Sequence, residues 1–237
     1  MSILTPSPVS APHTLRVLAH LLSYPDAALR AHLPEMQAAL HAERALSPGR
    51  LTELDAFIQR LARRKPLEAE ADHVELFDRG RGTALHLFEH VHGDSRDRGP
   101  AMVDLCRTYE AAGLYLSSGE LPDHLPVVLQ YVSTQPAAQA RAFLGEITHI
   151  LQTIFSALLR REAAHACLLA ALLELAGEKA QTVTVPPEPA LDESWAEPEA
   201  FDGCSTRGQA GPDQPQPIHV VRTASRQAAA RQPGAPT

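Results

Sequence analysis

Apolar residues along this chain fall mostly at intervals of three and four. Leu15, Leu18, Ala19 and Leu22 share one helical face, Thr14 is the candidate N-cap, and Tyr24-Pro25 ends the run. Ser47 then pairs a capping hydroxyl with Pro48 at the first helical position, and Leu51, Leu54, Ile58 and Leu61 keep helical period until Lys65-Pro66. Leu67, Ala71, Val74 and Phe77 repeat the spacing before Gly80 and Gly82 interrupt it, which predicts a loop after Asp78.

Past a short apolar segment, Leu85 to Val91, the run Gly93-Asp94-Ser95 predicts a turn and cap for a helix with Met102, Leu105, Cys106 and Tyr109 on one stripe, closed by Gly119. Leu125 to Val132 predicts a short helix entered through Pro122-Asp123. Phe143, Ile147, Ile150 and Ile154, with Leu144, Leu151 and Phe155 widening the apolar face, predict one long central helix that meets several neighbours. Leu168, Leu169, Leu172 and Leu173 predict the last helix, with Gly177 in its C′ position.

No run before Gly177 alternates with period two and is rich in Val, Ile and Thr. The expected fold class is therefore all-α, a single helical bundle domain followed by a disordered, Pro-rich C-terminal tail. The expected boundaries are a flexible N-terminus over 1–13, the helical domain over 14–177 and the tail over 178–237. Nine of the 20 prolines lie in those last 60 residues, where hydrophobic periodicity is lost. The tail carries an acidic segment, Glu188 to Asp202, with Trp195 and Phe201 inside it, and then Arg207, Arg222, Arg226 and Arg231. It reads either as a solubilising extension or as a docking strip anchored by Trp195.

Composition narrows the partners. With 44% of 237 residues apolar, the chain can build a core. A net charge of -7 and a pI near 5.9 argue against nucleic acid or anionic lipid and favour a basic segment as partner. Cys106, Cys167 and Cys204 are too few and too scattered for a disulfide framework or a paired-cysteine metal site. The start, Met1 to Pro6, has no basic or apolar export region, and the most apolar stretch, Ala163 to Gly177, is short of the roughly 20 residues that cross a bilayer. A cytoplasmic protein without membrane insertion is expected.

Three clusters could carry chemistry. His86-Leu87-Phe88-Glu89-His90 matches the H-x-x-E-H pattern of inverted zinc peptidases. On one helix, both imidazoles would bind zinc and Glu89 would activate water, with Glu162 or Glu174 as a third ligand. The competing reading has the histidines line a helix surface while Leu87 and Phe88 enter the core. Arg79-Gly80-Arg81-Gly82 and Arg96-Asp97-Arg98-Gly99 read as solvated turns, and no phosphate-binding loop or acyl-transfer elbow is present. Glu120-Leu121-Pro122-Asp123-His124 is either an interhelical turn in which Asp123 caps the following helix, or a hinge offering acid and imidazole to a basic peptide.

These stretches together resemble a known family. Leu76-Phe77-Asp78-Arg79-Gly80-Arg81-Gly82, followed by His86 to Gly99, is similar to the signature block of nitrate reductase molybdenum cofactor assembly chaperones. The hinge is similar to the E-P-x-D-H motif of the wider group of redox-enzyme maturation chaperones, which serve trimethylamine oxide and dimethyl sulfoxide reductases, but carries Leu121 as an extra residue. His73-Val74-Glu75-Leu76-Phe77 is similar to that group's Y-x-x-L-F run, with His73 in place of the tyrosine. The resemblance spans about residues 14–177.

It implies an all-helical cytoplasmic chaperone, not an enzyme, with no cofactor or metal of its own. Its partner would be the apo catalytic subunit of a respiratory nitrate reductase, held through its N-terminal peptide for molybdenum cofactor insertion, and beyond it the cofactor delivery machinery. The expected peptide-binding residues are Glu120, Pro122, Asp123 and His124, joined by Arg79, His86 and His90. The alternatives are a zinc-dependent hydrolase using His86, Glu89 and His90, and a helical scaffold without a molybdenum connection.

Overall fold

The structure is a computed structural model and describes residues 10–93, 95–117 and 119–184. The expectations for the first nine residues and for the tail beyond residue 184, including Trp195 and Phe201, lie outside the described residues.

Helix α1 (Pro12–Leu21) buries Leu15, Leu18, Ala19 and Leu21. It starts earlier than the candidate cap at Thr14, because Pro12 supplies the first turn. The orphan amides are taken from outside: the Glu43 carboxylate accepts from His13 N at 3.0 Å and from Thr14 N at 2.6 Å. Thr14 itself is buried within the helix. Asp26 caps the short α2 (Ala27–Ala31), and α3 (Leu33–Glu43) follows. Helix α4 (Pro48–Arg63) begins as expected, with Ser47 Oγ accepting from Arg50 N and Pro48 at the first position.

Helix α5 (Pro66–His73) turns a different side inward from the one the apolar spacing suggests. Of the expected residues Phe77 is buried, but Leu67 is 77% exposed and Ala71 is exposed, and Ala69 and His73 are buried in their place. Phe77 reaches the core because the chain widens into a π-helical turn over Val74–Asp78, which shifts the register of the last residues. The expected loop after Asp78 contains only a 3₁₀ turn, Arg81–Thr83.

Three helices then gather around the hinge: α6 (Leu87–Val91), α7 (Arg98–Ala111) and α8 (Leu125–Ser133). Helix α7 ends at Gly113 (φ 78°), six residues before Gly119, where Leu114 N returns to Tyr109 O at 2.9 Å. Of its expected apolar stripe only Tyr109 is buried.

The single long helix expected around Phe143–Ile154 is two. Helices α9 (Ala137–Glu146) and α10 (Thr148–Arg160) meet at Ile147 with a bend of 63°. Each has its own partners, α9 packing on α8 and α11, and α10 mainly on α11. Helix α11 (Ala166–Ala176) ends at Gly177 (φ 85°) as expected. Helices α1, α8, α10 and α11 enclose the core, with Leu18, Leu129, Ile154, Leu158, Leu168 and Leu172 fully buried. Among the described residues there is no strand, only an isolated bridge between His86 and His124, and no single helix is long and apolar enough to cross a membrane.

Candidate functional site

The hinge that the sequence singles out is where three helices are tied together. Residues 85–87 run alongside 123–125: Leu125 N donates to Leu85 O at 2.8 Å and Leu87 N donates to Asp123 O at 3.0 Å. This pairing brings the His86 and His124 rings into a stack, 5.0 Å between centroids.

Asp123 is 0% exposed. It does not cap α8, the helix that follows it. Its carboxylate accepts from Phe88 N at 3.2 Å, in the first turn of α6, lies 3.4 Å from His86 Nδ1, and sits 3.6 Å from Arg98 at the start of α7. Arg98 also reaches Glu89 at 3.4 Å. At the other end of α7 the Tyr109 hydroxyl donates to Pro122 O at 2.8 Å. Pro122 and Asp123 thus hold both ends of α7, the start of α6 and the entry to α8.

These contacts set the charges. The hydrogen bond that His86 donates to the Asp123 carboxylate raises the pKa of His86, against the lowering effect of burial and Arg98. Burial, helped by neighbouring His86, pushes His124 down to about 4, so its ring is neutral near pH 7. The two stacked rings therefore differ: His124 is held neutral, whereas the bond to Asp123 favours the charged form of His86.

Of the expected peptide-binding residues, Pro122, Asp123, His124 and His86 are brought together. His90 stands one turn away with Nε2 2.9 Å from Ala84 O. Arg79 is exposed and pairs with Glu75 at 2.9 Å, and Glu120 is exposed on the loop ahead of the hinge. Glu120 lines a hollow of about 400 Å³ with Tyr109, Tyr115 and Tyr131. Asp123, fully enclosed, positions this region and presents no surface to a ligand. Arg98, which reads as part of a solvated turn, is central to the site; nothing local in the sequence signals a partner 25 residues away.

The zinc arrangement is not formed. His86 lies in extended backbone ahead of α6, so it and His90 do not share one helical face. Glu89 is engaged by Arg98, and Glu174 accepts from Ser47 and Arg50. Among the described residues no three His, Cys, Asp or Glu side chains gather to hold a metal ion.

Apolar surface concentrates beside the hinge. Val91, Val103, Tyr115 and Leu121 are all exposed, Tyr115 at 80%, and Met102, Leu105 and Cys106 of α7 are half-buried. A helix of 14 residues that buries one of them leaves a face for something else.

The family model for the nitrate reductase delta subunit matches residues 23–170. The chain belongs to the nitrate reductase delta subunit family. Among its relatives, the nitrate reductase molybdenum cofactor assembly chaperone NarJ of Escherichia coli (strain K12) is 48% identical over 162 residues, covering 68% of this chain and 69% of that protein. The probable nitrate reductase molybdenum cofactor assembly chaperone NarW of the same organism is 40% identical over 171 residues, 72% and 71% of the two chains. The crystal structure of a putative redox enzyme maturation protein from Archaeoglobus fulgidus shares the fold, with a TM-score of 0.50 at 18% identity over 70% of this chain and 94% of that one.

This delta subunit family is one of assembly chaperones and not of enzymes, as the resemblance implied. The match to the family covers the hinge, α6, α7 and the Arg79 loop, so the whole candidate site lies within it.

Proposed function

We propose that this chain is an assembly chaperone for a respiratory nitrate reductase, acting in the cytoplasm before the enzyme reaches the membrane. It grips the N-terminal peptide of the apo catalytic subunit and keeps that subunit open for molybdenum cofactor insertion and for the machinery that delivers it. The single observation that carries the reading is the apolar face of α7 beside the hinge, in a chain whose relatives are named as molybdenum cofactor assembly chaperones. An amphipathic helix laid on such a face buries its apolar stripe, and burial supplies the affinity.

The expected residues divide by role. Glu120, exposed at the edge of the tyrosine hollow, meets a basic residue of the peptide; Arg79, His86, His90 and His124 border the path; Pro122 and Asp123 hold α6 and α7 in place. The net charge of -7 suits a basic segment.

The test is capture of the apo catalytic subunit by the full chain, with and without the subunit's N-terminal segment. Capture lost on truncation is the expected result. Equal capture of the truncated subunit would overturn peptide recognition.

A further inference from the structure

We infer that the partner's N-terminal peptide continues past the hinge, crosses α1 at His20 and lies in a trough between α1, α2 and α3, where Asp26 and Glu35 receive its basic residues. The inference rests on the proposed function and deepens it, assigning part of the same peptide to a surface lined by no residue of the hinge or of α7.

Helix α1 is the ridge between two hollows. On one side Arg16 and His20 line the tyrosine hollow beside the hinge, and on the other Val17 and His20 line the trough. Residues three and four apart share a helical face, so the exposed His20 stands where the two hollows meet. A segment leaving the tyrosine hollow over His20 comes directly onto the trough.

The trough is open and measures about 540 Å³. Val17, Leu29 and Met36 make its floor, each nearly enclosed by the body. Met36 is the adaptable member, an unbranched thioether that shapes itself to whatever apolar side chain lies on it. Tyr24, 47% exposed, stands at the edge, its hydroxyl donating to Glu70 Oε2 at 3.1 Å and fixing the ring. An apolar stripe laid on this floor is removed from water.

Charge gives the trough its selectivity. Among the described residues Asp26 has no ion pair, its carboxylate accepting from Leu29 N at 2.7 Å, and Glu35 meets only the imidazole of His32, at 3.0 Å. No lysine or arginine lines the trough. Acids elsewhere are matched, Glu174 by Arg50, Asp72 by Arg64 and Glu89 by Arg98, and in the tyrosine hollow Glu120 is offset by Arg16. The two carboxylates of the trough are the uncompensated acids along the path. A basic amphipathic helix supplies both the apolar stripe and the cations they lack.

The experiment is calorimetry of the full chain with a synthetic peptide of the catalytic subunit's N-terminal segment, in low and in high salt, beside hydrogen exchange of the same mixture. Asp26→Asn with Glu35→Gln, in which the asparagine keeps the cap on α2, should weaken binding by roughly tenfold in low salt and by much less in high salt. Ala28→Arg, at an exposed position lining the trough, should weaken it in both. Bound peptide should slow exchange in α2 and in the first turn of α3 of the wild type. Equal affinities of the wild type and all variants, or exchange in α2 and α3 unaltered by bound peptide, would overturn the inference. Should a variant fail to fold, the exchange measurement on the wild type decides. A peptide that binds the wild type without protecting the trough leaves the proposed function standing, whereas a wild type that binds no peptide removes that function and this inference together.

Discussion

The carboxylate of Asp123 accepts the backbone N–H of Phe88 at 3.2 Å, capping from 35 residues away a helix to which it does not belong. With nothing of its side chain exposed, its removal leaves the Phe88 amide, His86 and Arg98 without their shared acceptor. Asp123→Ala should therefore destabilise the chain by about 3 kcal/mol. Urea unfolding of the variant beside the wild type measures it; a midpoint unchanged at equal slope would show that the carboxylate is dispensable.

Helix α7 should be the most readily opened long helix of the bundle. It buries only Tyr109, whereas α11 buries eight residues, and its ends are held by Arg98 and by the hydroxyl of Tyr109 on Pro122. Tyr109→Phe removes that last bond at a cost of about 1 kcal/mol. Hydrogen exchange should show faster exchange in α7 of the variant, with α10 and α11 unaffected. Uniform acceleration across all helices would mean that α7 does not open by itself.

The buried histidines set the acid side of the stability curve. His124 and His165, both pushed down to about 4, stay neutral in the native state where the unfolded chain binds protons. Their contribution is complete above the ordinary value of 6.5 and declines as pH falls toward 4. His86 is raised, so it acts in the opposite direction: its contribution is complete below 6.5 and lost as pH rises through its raised value. The depressed pair prevails, and stability should drop by on the order of 2 kcal/mol between pH 7 and pH 5. His165→Phe, which retains the ring contacts with Phe57 and Phe77, should flatten that slope; the same slope in the variant would exclude His165 as a cause.

Exposed apolar residues beside the hinge should matter for capture and not for folding. Val103 is 50% exposed and Tyr115 80%. Val103→Ser with Tyr115→Ser should leave the unfolding midpoint within about 0.5 kcal/mol of wild type and weaken binding of the subunit's N-terminal peptide by roughly tenfold or more. Calorimetry with a synthetic peptide gives the affinity, and an unaltered value would move the docking face elsewhere.

Much of the architecture was legible from apolar spacing. The Ser47-Pro48 start, the Gly177 stop and the inward faces of α1, α4, α10 and α11 are local events, governed by capping, by backbone freedom at positive φ and by the 3.6-residue period. The blocks Leu76 to Gly82 and His86 to Gly99 likewise carried the family resemblance unaided. Other features had no local cause. The period Phe143, Ile147, Ile150, Ile154 runs straight through a 63° bend, because α9 and α10 each follow different neighbours. Leu67 faces solvent while Ala69 and His73 are enclosed, because packing against neighbouring helices decides which face of α5 turns inward. Asp123 serves α6 and not α8, and Arg98 joins it, because two segments distant in sequence lie side by side at His86 and His124. A single chain records which residues prefer water and where helices begin and end; which carboxylate meets which amide depends on long-range packing, and that was decided only when the helices came together.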